Sequence, residues 1–151
     1  MKTQPVKLPV RAMPKAEFEK MAQLRYRLRR FLRFSEEATR KSGVTPLQYQ
    51  LMLQIKGFPG RDWATVVELA ERLQAKHNGV VALVSRCEAA GLVSRSASQS
   101  DLRRVEVRLT PQGEFCLARL AQLHRSELAS LQAHLGQPDP AKPLAADGRM
   151  A

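Results

Sequence analysis

Between residues 66 and 109 the spacing of apolar side chains switches from the period of a helix to that of a strand. Val66, Leu69, Ala70 and Leu73 fall at i, i+3, i+4 and i+7, the pattern of a helix that buries one face. Val80, Leu83, Val84 and Cys87 repeat that spacing one helix later. Then Val105, Val107 and Leu109 alternate with Arg104, Glu106 and Arg108, so the apolar set points one way and the charged set the other. Two short helices followed by a hairpin predict a mainly α chain with a small β-hairpin wing, a winged helix-turn-helix.

The punctuation around this stretch predicts the other elements. A long helix over 15–42 carries Phe18, Met21, Leu24, Leu28, Phe31 and Leu32 as a stripe and ends at Gly43, a residue suited to a left-handed cap. Thr45, Pro46 and Gln48 supply an N-cap, a proline at the first helical position and a glutamine at the third. Helices are expected over 64–72 and 76–90, the second ended by Gly91. The strands are expected over 92–95 and 104–109, with a polar tip at 96–103. Thr110-Pro111 opens a final helix over 111–135. The expected organisation is an extended arm at 1–14, one domain at 15–136 with its winged part at 46–110, and a mobile tail at 137–151. A first helix of that length spans about 42 Å, longer than a small domain needs for itself. The excess predicts a homodimer whose core is shared by the first and last helices.

Composition narrows the function. A formal net charge of +11 favours polyanionic partners. Aromatic residues make up 5%, too few for stacking on single-stranded bases to lead. No apolar run approaches the roughly 20 residues that cross a membrane, and the first fourteen residues, with Pro5, Pro9 and Pro14, lack a signal-peptide core. Two cysteines, Cys87 and Cys116, suit a reduced, cytoplasmic setting. There is no phosphate-cradling glycine loop, nucleophile elbow or paired acid with a reason to share a pocket, so no enzyme and no cofactor are expected. His124, Glu127 and His134 lack a further ligand, and no metal is expected there.

On the helix over 76–90, a rotation of 100° per residue turns Asn78, Ala82, Ser85 and Ala89 away from the apolar stripe, flanked by Val81 and Arg86. Small residues let a helix sink toward base edges, while Asn, Ser and Arg supply hydrogen bonds, and Val81 and Ala82 suit thymine methyls. Lys76, His77 and Asn78 lie at the end that enters a major groove first. Arg95, Asp101, Arg103 and Arg104 sit on the wing; an arginine at a hairpin tip suits a narrow minor groove, and Asp101 suits a cap for the turn. Double-stranded DNA is the expected partner. Arg25, Arg29 and Arg33 line one face of the first helix, to be read as a solvated or ion-paired face or, more sharply, as a cationic wall.

These residues resemble the MarR family of transcriptional regulators. The likeness runs from about Phe18 to Leu135 and is most specific in VELAERL at 67–73, in Leu83-Val84-x-Arg86-x-Glu88-x-x-Gly91-Leu92-Val93, and in Asp101-x-Arg103-Arg104 leading to Leu109-Thr110-x-x-Gly113. The resemblance implies a homodimer, a DNA-reading helix at 76–90 and a wing whose Asp101 and Arg103 meet the minor groove. It also implies a small anionic or aromatic effector between the dimer helices and the DNA-binding lobe, which brings in Arg25, Arg29, Tyr49 and Trp63. Leu102 departs from the family, which often has arginine there, and Gly79 and Val81 stand where Ser or Thr is frequent. The expected function is a dimeric regulator, a repressor, on a palindromic operator. A nonspecific architectural DNA binder and a helical interaction module with a degenerate DNA-binding lobe are the alternatives.

Overall fold

The computed structural model describes residues 11–135. The expected tail at 137–151 and most of the expected N-terminal arm lie outside the described residues. Eight elements follow in order: α1 (Lys15–Lys41), α2 (Pro46–Lys56), β1 (Trp63–Thr65), α3 (Val66–Leu73), α4 (His77–Ala89), β2 (Val93–Ala97), β3 (Val105–Leu109) and α5 (Pro111–Leu135). The sheet is antiparallel in the order β1-β3-β2.

Local chemistry sets the helix starts. Thr45 caps α2 through a reciprocal box: the Gln48 N–H donates to Thr45 Oγ1 at 3.1 Å, and the Thr45 N–H donates to Gln48 Oε1 at 3.0 Å. Thr65 does the same for α3 with Glu68. The third helix therefore begins at Val66 rather than at the expected Ala64. Trp63, Ala64 and Thr65 instead pair with Arg108, Val107 and Glu106 as a third strand. Gln74, with φ 50°, turns the chain between α3 and α4 through the left-handed region, and its Nε2–H₂ donates to the Glu71 carbonyl at 2.7 Å.

One core joins these elements. Leu51, Met52 and Ile55 of α2, Leu69 of α3, Val80, Leu83, Val84 and Cys87 of α4, Val107 of β3 and Leu117 and Leu120 of α5 are buried together. The period-two reading of β3 holds for Val107 and, in part, for Leu109, which packs on the core. Val105 departs from it at 40% exposed, because the distal end of the hairpin projects past the core it would have packed on.

A buried imidazole connects this lobe to the long helices. His124 of α5 donates from Nδ1 to the Leu120 carbonyl at 2.6 Å, since a carbonyl only accepts, and its Nε2 faces the Ser35 hydroxyl of α1 at 2.9 Å. Its ring stacks on Tyr49 of α2 with centroids 4.7 Å apart, and the rings of Phe31 and Phe34 meet it edge-on. His124 is thus a structural node where α1, α2 and α5 meet.

Candidate nucleic-acid interface

Helix α4 separates its faces cleanly. Val80, Leu83, Val84 and Cys87 are buried, whereas His77, Asn78, Ala82, Ser85, Arg86 and Ala89 are exposed and Val81 is half-buried. Lys76 is exposed at the N-cap position. In contrast to α2 and α3, α4 begins without a side-chain cap, which leaves its first-turn N–H groups for an outside acceptor. Burial pushes the Cys87 thiol up to about 11, partly opposed by the charge of Arg86. It remains a neutral, core-filling group at ordinary pH.

The wing is held at root and tip. At the root, the Arg95 backbone N–H donates to Glu88 Oε2 at 3.1 Å and its guanidinium to Glu88 Oε1 at 3.1 Å. The side-chain hydrogen bond from Arg95, followed by the backbone one, holds the Glu88 carboxyl below the usual carboxylate range. Arg95, expected to face DNA, is strapped to Glu88 of α4 by these two bonds. At the tip, the Asp101 side chain accepts from the Arg103 N–H at 3.0 Å, and the Asp101 carbonyl accepts from the Arg104 N–H at 3.0 Å. Asp101 caps the turn, as its position suggested. Arg103 and Arg104 are exposed on that pinned turn.

The four residues considered for an effector lie in three different surroundings. Arg25 and Arg29 are exposed on α1. Tyr49 is 6% exposed beneath His124, and desolvation raises its hydroxyl above the usual phenol value. Trp63 lies in a separate stack on the sheet edge. There the Arg61 guanidinium sits 4.1 Å from the Phe58 ring centre and 3.8 Å from that of Trp63, while Arg72 lies over Phe58 and Arg108 over Trp63. Arg61 also pairs with Glu68, and Arg108 with Asp62 and Glu106. A cleft of about 140 Å³ between α1 and α5 is lined by Arg27, Arg30, Phe31, Glu127, Ser130 and Leu131 instead. Among the described residues no group of His, Cys, Asp and Glu is placed to hold a metal ion. No described helix is long and apolar enough to cross a membrane.

Reading residues singly missed the Glu88–Arg95 strap and the Thr65–Glu68 cap. The cap had a signal, a threonine three residues before a glutamate at the head of an apolar run. The strap had none, because its partners meet only once β2 folds back along α4.

Comparison with known proteins agrees with this geometry. Residues 42–104 match the model of the MarR family. A Thauera aromatica protein named for transcriptional regulation of the hcr operon is 33% identical over 92 residues, covering 61% of this chain and 54% of that protein. The HTH-type transcriptional repressor MdtR of Bacillus subtilis is 31% identical over 79 residues, covering 52% of this chain and 49% of MdtR. The chain thus spans about half the length of these curated relatives. The crystal structure of AbsC, a MarR family transcriptional regulator from Streptomyces coelicolor, superposes with a TM-score of 0.71 at 21% identity, over 85% of this chain and 86% of AbsC. Residues 42–104 thus carry the pattern of the MarR family, and the helix order and wing share the fold of its solved members.

Proposed function

We propose that the chain is a transcriptional repressor that binds a palindromic DNA duplex as a homodimer. The observation that carries this reading is the split face of α4: one side seals the core, and the other offers Asn78, Ala82, Ser85 and Arg86 to solvent beside a wing carrying Arg103 and Arg104. An uncapped α4 N-terminus, with Lys76 and His77 beside it, suits a phosphate at the groove edge. The net charge of +11 supports the same partner.

Dimerisation accounts for the long helices. Phe18, Met21, Leu24, Leu28 and Leu32 of α1 and Leu123, Leu128 and Leu135 of α5 are exposed, an apolar surface that a second copy covers. A two-fold then presents two α4 helices to successive major grooves about 34 Å apart. Release by a small anionic or aromatic molecule belongs to this reading. The α1–α5 cleft edged by Arg27, Arg30 and Phe31 supports it better than Tyr49, whose ring is enclosed.

The test starts from duplexes selected by the chain out of a random pool and titrates variants against them by fluorescence anisotropy. Arg103→Ala is expected to weaken binding about tenfold, and Arg27→Ala to leave it nearly unchanged. Equal losses remove the wing from the interface. A preference for the selected sequence well below about 10³ over unrelated duplex favours a nonspecific binder. A dimer that binds no duplex at low salt favours an interaction module.

A further inference from the structure

The wing tip displays one apolar side chain with no partner in the fold. Leu102 is 84% exposed, the highest value among the exposed large apolar residues of the described chain. The others lie mainly along α1 and α5; Leu102 stands among Ser98, Gln99, Ser100, Asp101, Arg103 and Arg104. It is also held in place. Leu102 and Arg103 are the two central residues of a turn closed by the Arg104 N–H on the Asp101 carbonyl at 3.0 Å. The Asp101 carboxylate takes the Arg103 N–H, and the Ser98 N–H donates to the Arg104 carbonyl at 2.9 Å just below. The loop beneath packs on itself through Ser98, 4% exposed, whose hydroxyl meets that of Ser100 at 3.0 Å. A hydrogen-bonded turn therefore carries an apolar knob and a guanidinium side by side at its apex.

We propose that Leu102 is a specificity-determining wedge: the wing drives it into the minor groove, against the sugar walls and into a deformable pyrimidine–purine step, while Arg103 holds the neighbouring phosphates. This rests on the DNA reading above. The chemistry follows from the side chain. Leucine offers no charge for the negative potential of a narrow A-tract groove, so it gains nothing there that arginine would. It gains by excluding water from sugar C–H surface and by partly unstacking a soft step, which bends the duplex away from the wing. The Leu102 part of the wing contact is then selective for step flexibility and nearly insensitive to salt, while the salt dependence comes from Arg103.

The experiment uses the full chain and a duplex that the wild type selects from a random pool, labelled at both ends with a donor and an acceptor dye. The wild type is expected to bend it. Leu102→Ala is expected to bind about tenfold more weakly, to lose much of the bend, and to keep both its salt slope and its melting temperature. Leu102→Met, which retains an apolar wedge, should restore the bend. Leu102→Arg should steepen the salt slope by about one unit and exchange the preference for a pyrimidine–purine step for one toward A-tracts. Replacing the step under the wing by AA should penalise the wild type and leave Leu102→Ala indifferent. The proposal is overturned by Leu102→Ala binding and bending as the wild type does, or by a loss of affinity that leaves bend and step preference intact. A wild-type chain that selects no duplex overturns the DNA reading, and the wedge with it; the two failures are told apart by whether selection succeeds.

Discussion

Leu51, Met52, Ile55, Leu69 and Val84 in the lobe built from α2 to β3 have no measurable exposure, whereas Phe18, Met21, Leu24 and Leu32 on α1 and Phe115, Leu123 and Leu135 on α5 are 43 to 67% exposed. Both regions are rich in large apolar residues, and only one encloses them. The lobe closes because α2, α3 and α4 each turn buried residues into one cluster, which Val107 joins from the sheet. The other region, an arm made of α1 packed on α5, encloses few of its own apolar residues. Only Ser35, Ala38 and Thr39 of α1 and Gly113, Leu117, Leu120 and His124 of α5 are buried, the α1 residues near its C-terminal end and the α5 residues between its start and its middle, where it meets the lobe. The lobe is thus closed within one chain, while the arm leaves open an apolar stripe, the surface that the proposed dimer would cover. The stability of the first should not depend on protein concentration, and that of the second should.

The joint between the two regions offers the largest break. Thr110 donates its hydroxyl to the Gly91 carbonyl at 2.6 Å and accepts from the Gly113 N–H at 3.0 Å, which sets α5 against the loop after α4. A Cβ built on Gly113 lies 2.0 Å from the Leu92 carbonyl oxygen. That oxygen is backbone, already accepting from the Thr110 N–H, and has no rotamer to retreat into. Gly113→Ala is therefore expected to lower the unfolding free energy by about 3 kcal/mol, read by urea denaturation. A loss below about 1 kcal/mol means that the close approach is not a constraint and that lobe and arm are more loosely joined than described.

Next in size is the arm itself. Leu24→Glu combined with Leu28→Glu places two carboxylates on the exposed stripe of α1. Each leucine is about two-fifths exposed, so its covering by a second copy contributes about 0.7 kcal/mol, and losing all four in a dimer is expected to weaken it about 100-fold in sedimentation velocity. The lobe should melt as before once the protein is diluted to monomer. An unchanged dimer would mean that copies meet elsewhere.

Legibility from the chain alone also divides along the two regions and stops at the same physical boundary. The buried stripe of α4 was readable at Val80, Leu83, Val84 and Cys87 because helical spacing is local and the opposing surface is a single core. β1 was not, since Trp63, Ala64 and Thr65 are too few to show an alternation and are strand only by pairing with β3 more than forty residues away. His124 looked like a poor metal ligand in sequence. Its actual neighbours, Ser35, Tyr49, Phe31 and Phe34, come from two other helices, and no spacing rule brings them together. The ladder of Arg72, Phe58, Arg61, Trp63 and Arg108 is invisible for the same reason. In the interface, the outward residues of α4 could be named from one helix, and the Asp101 turn from four adjacent residues. The retreat of Arg95 onto Glu88 could not, because it depends on where β2 lies against α4.

The smallest expected effect tests whether the lobe is as self-contained as its burial implies. Thr65 Oγ1 donates to Glu68 Oε1 at 2.8 Å and accepts from the Glu68 N–H at 3.3 Å, while Glu68 also pairs with Arg61 on the aromatic stack. Thr65→Ala removes the hydroxyl from both bonds and leaves Glu68 to its arginine. Loss of such a cap costs about 1 kcal/mol. The decisive feature is how that loss responds to concentration. Because α3 sits inside the closed lobe, the decrement measured by denaturant should be the same at dilute and concentrated protein, whereas that of the α1 double variant should shrink as the protein is diluted. A Thr65→Ala penalty that varies with concentration would place α3 within reach of the second copy, and the division between a closed lobe and an open arm would have to be redrawn.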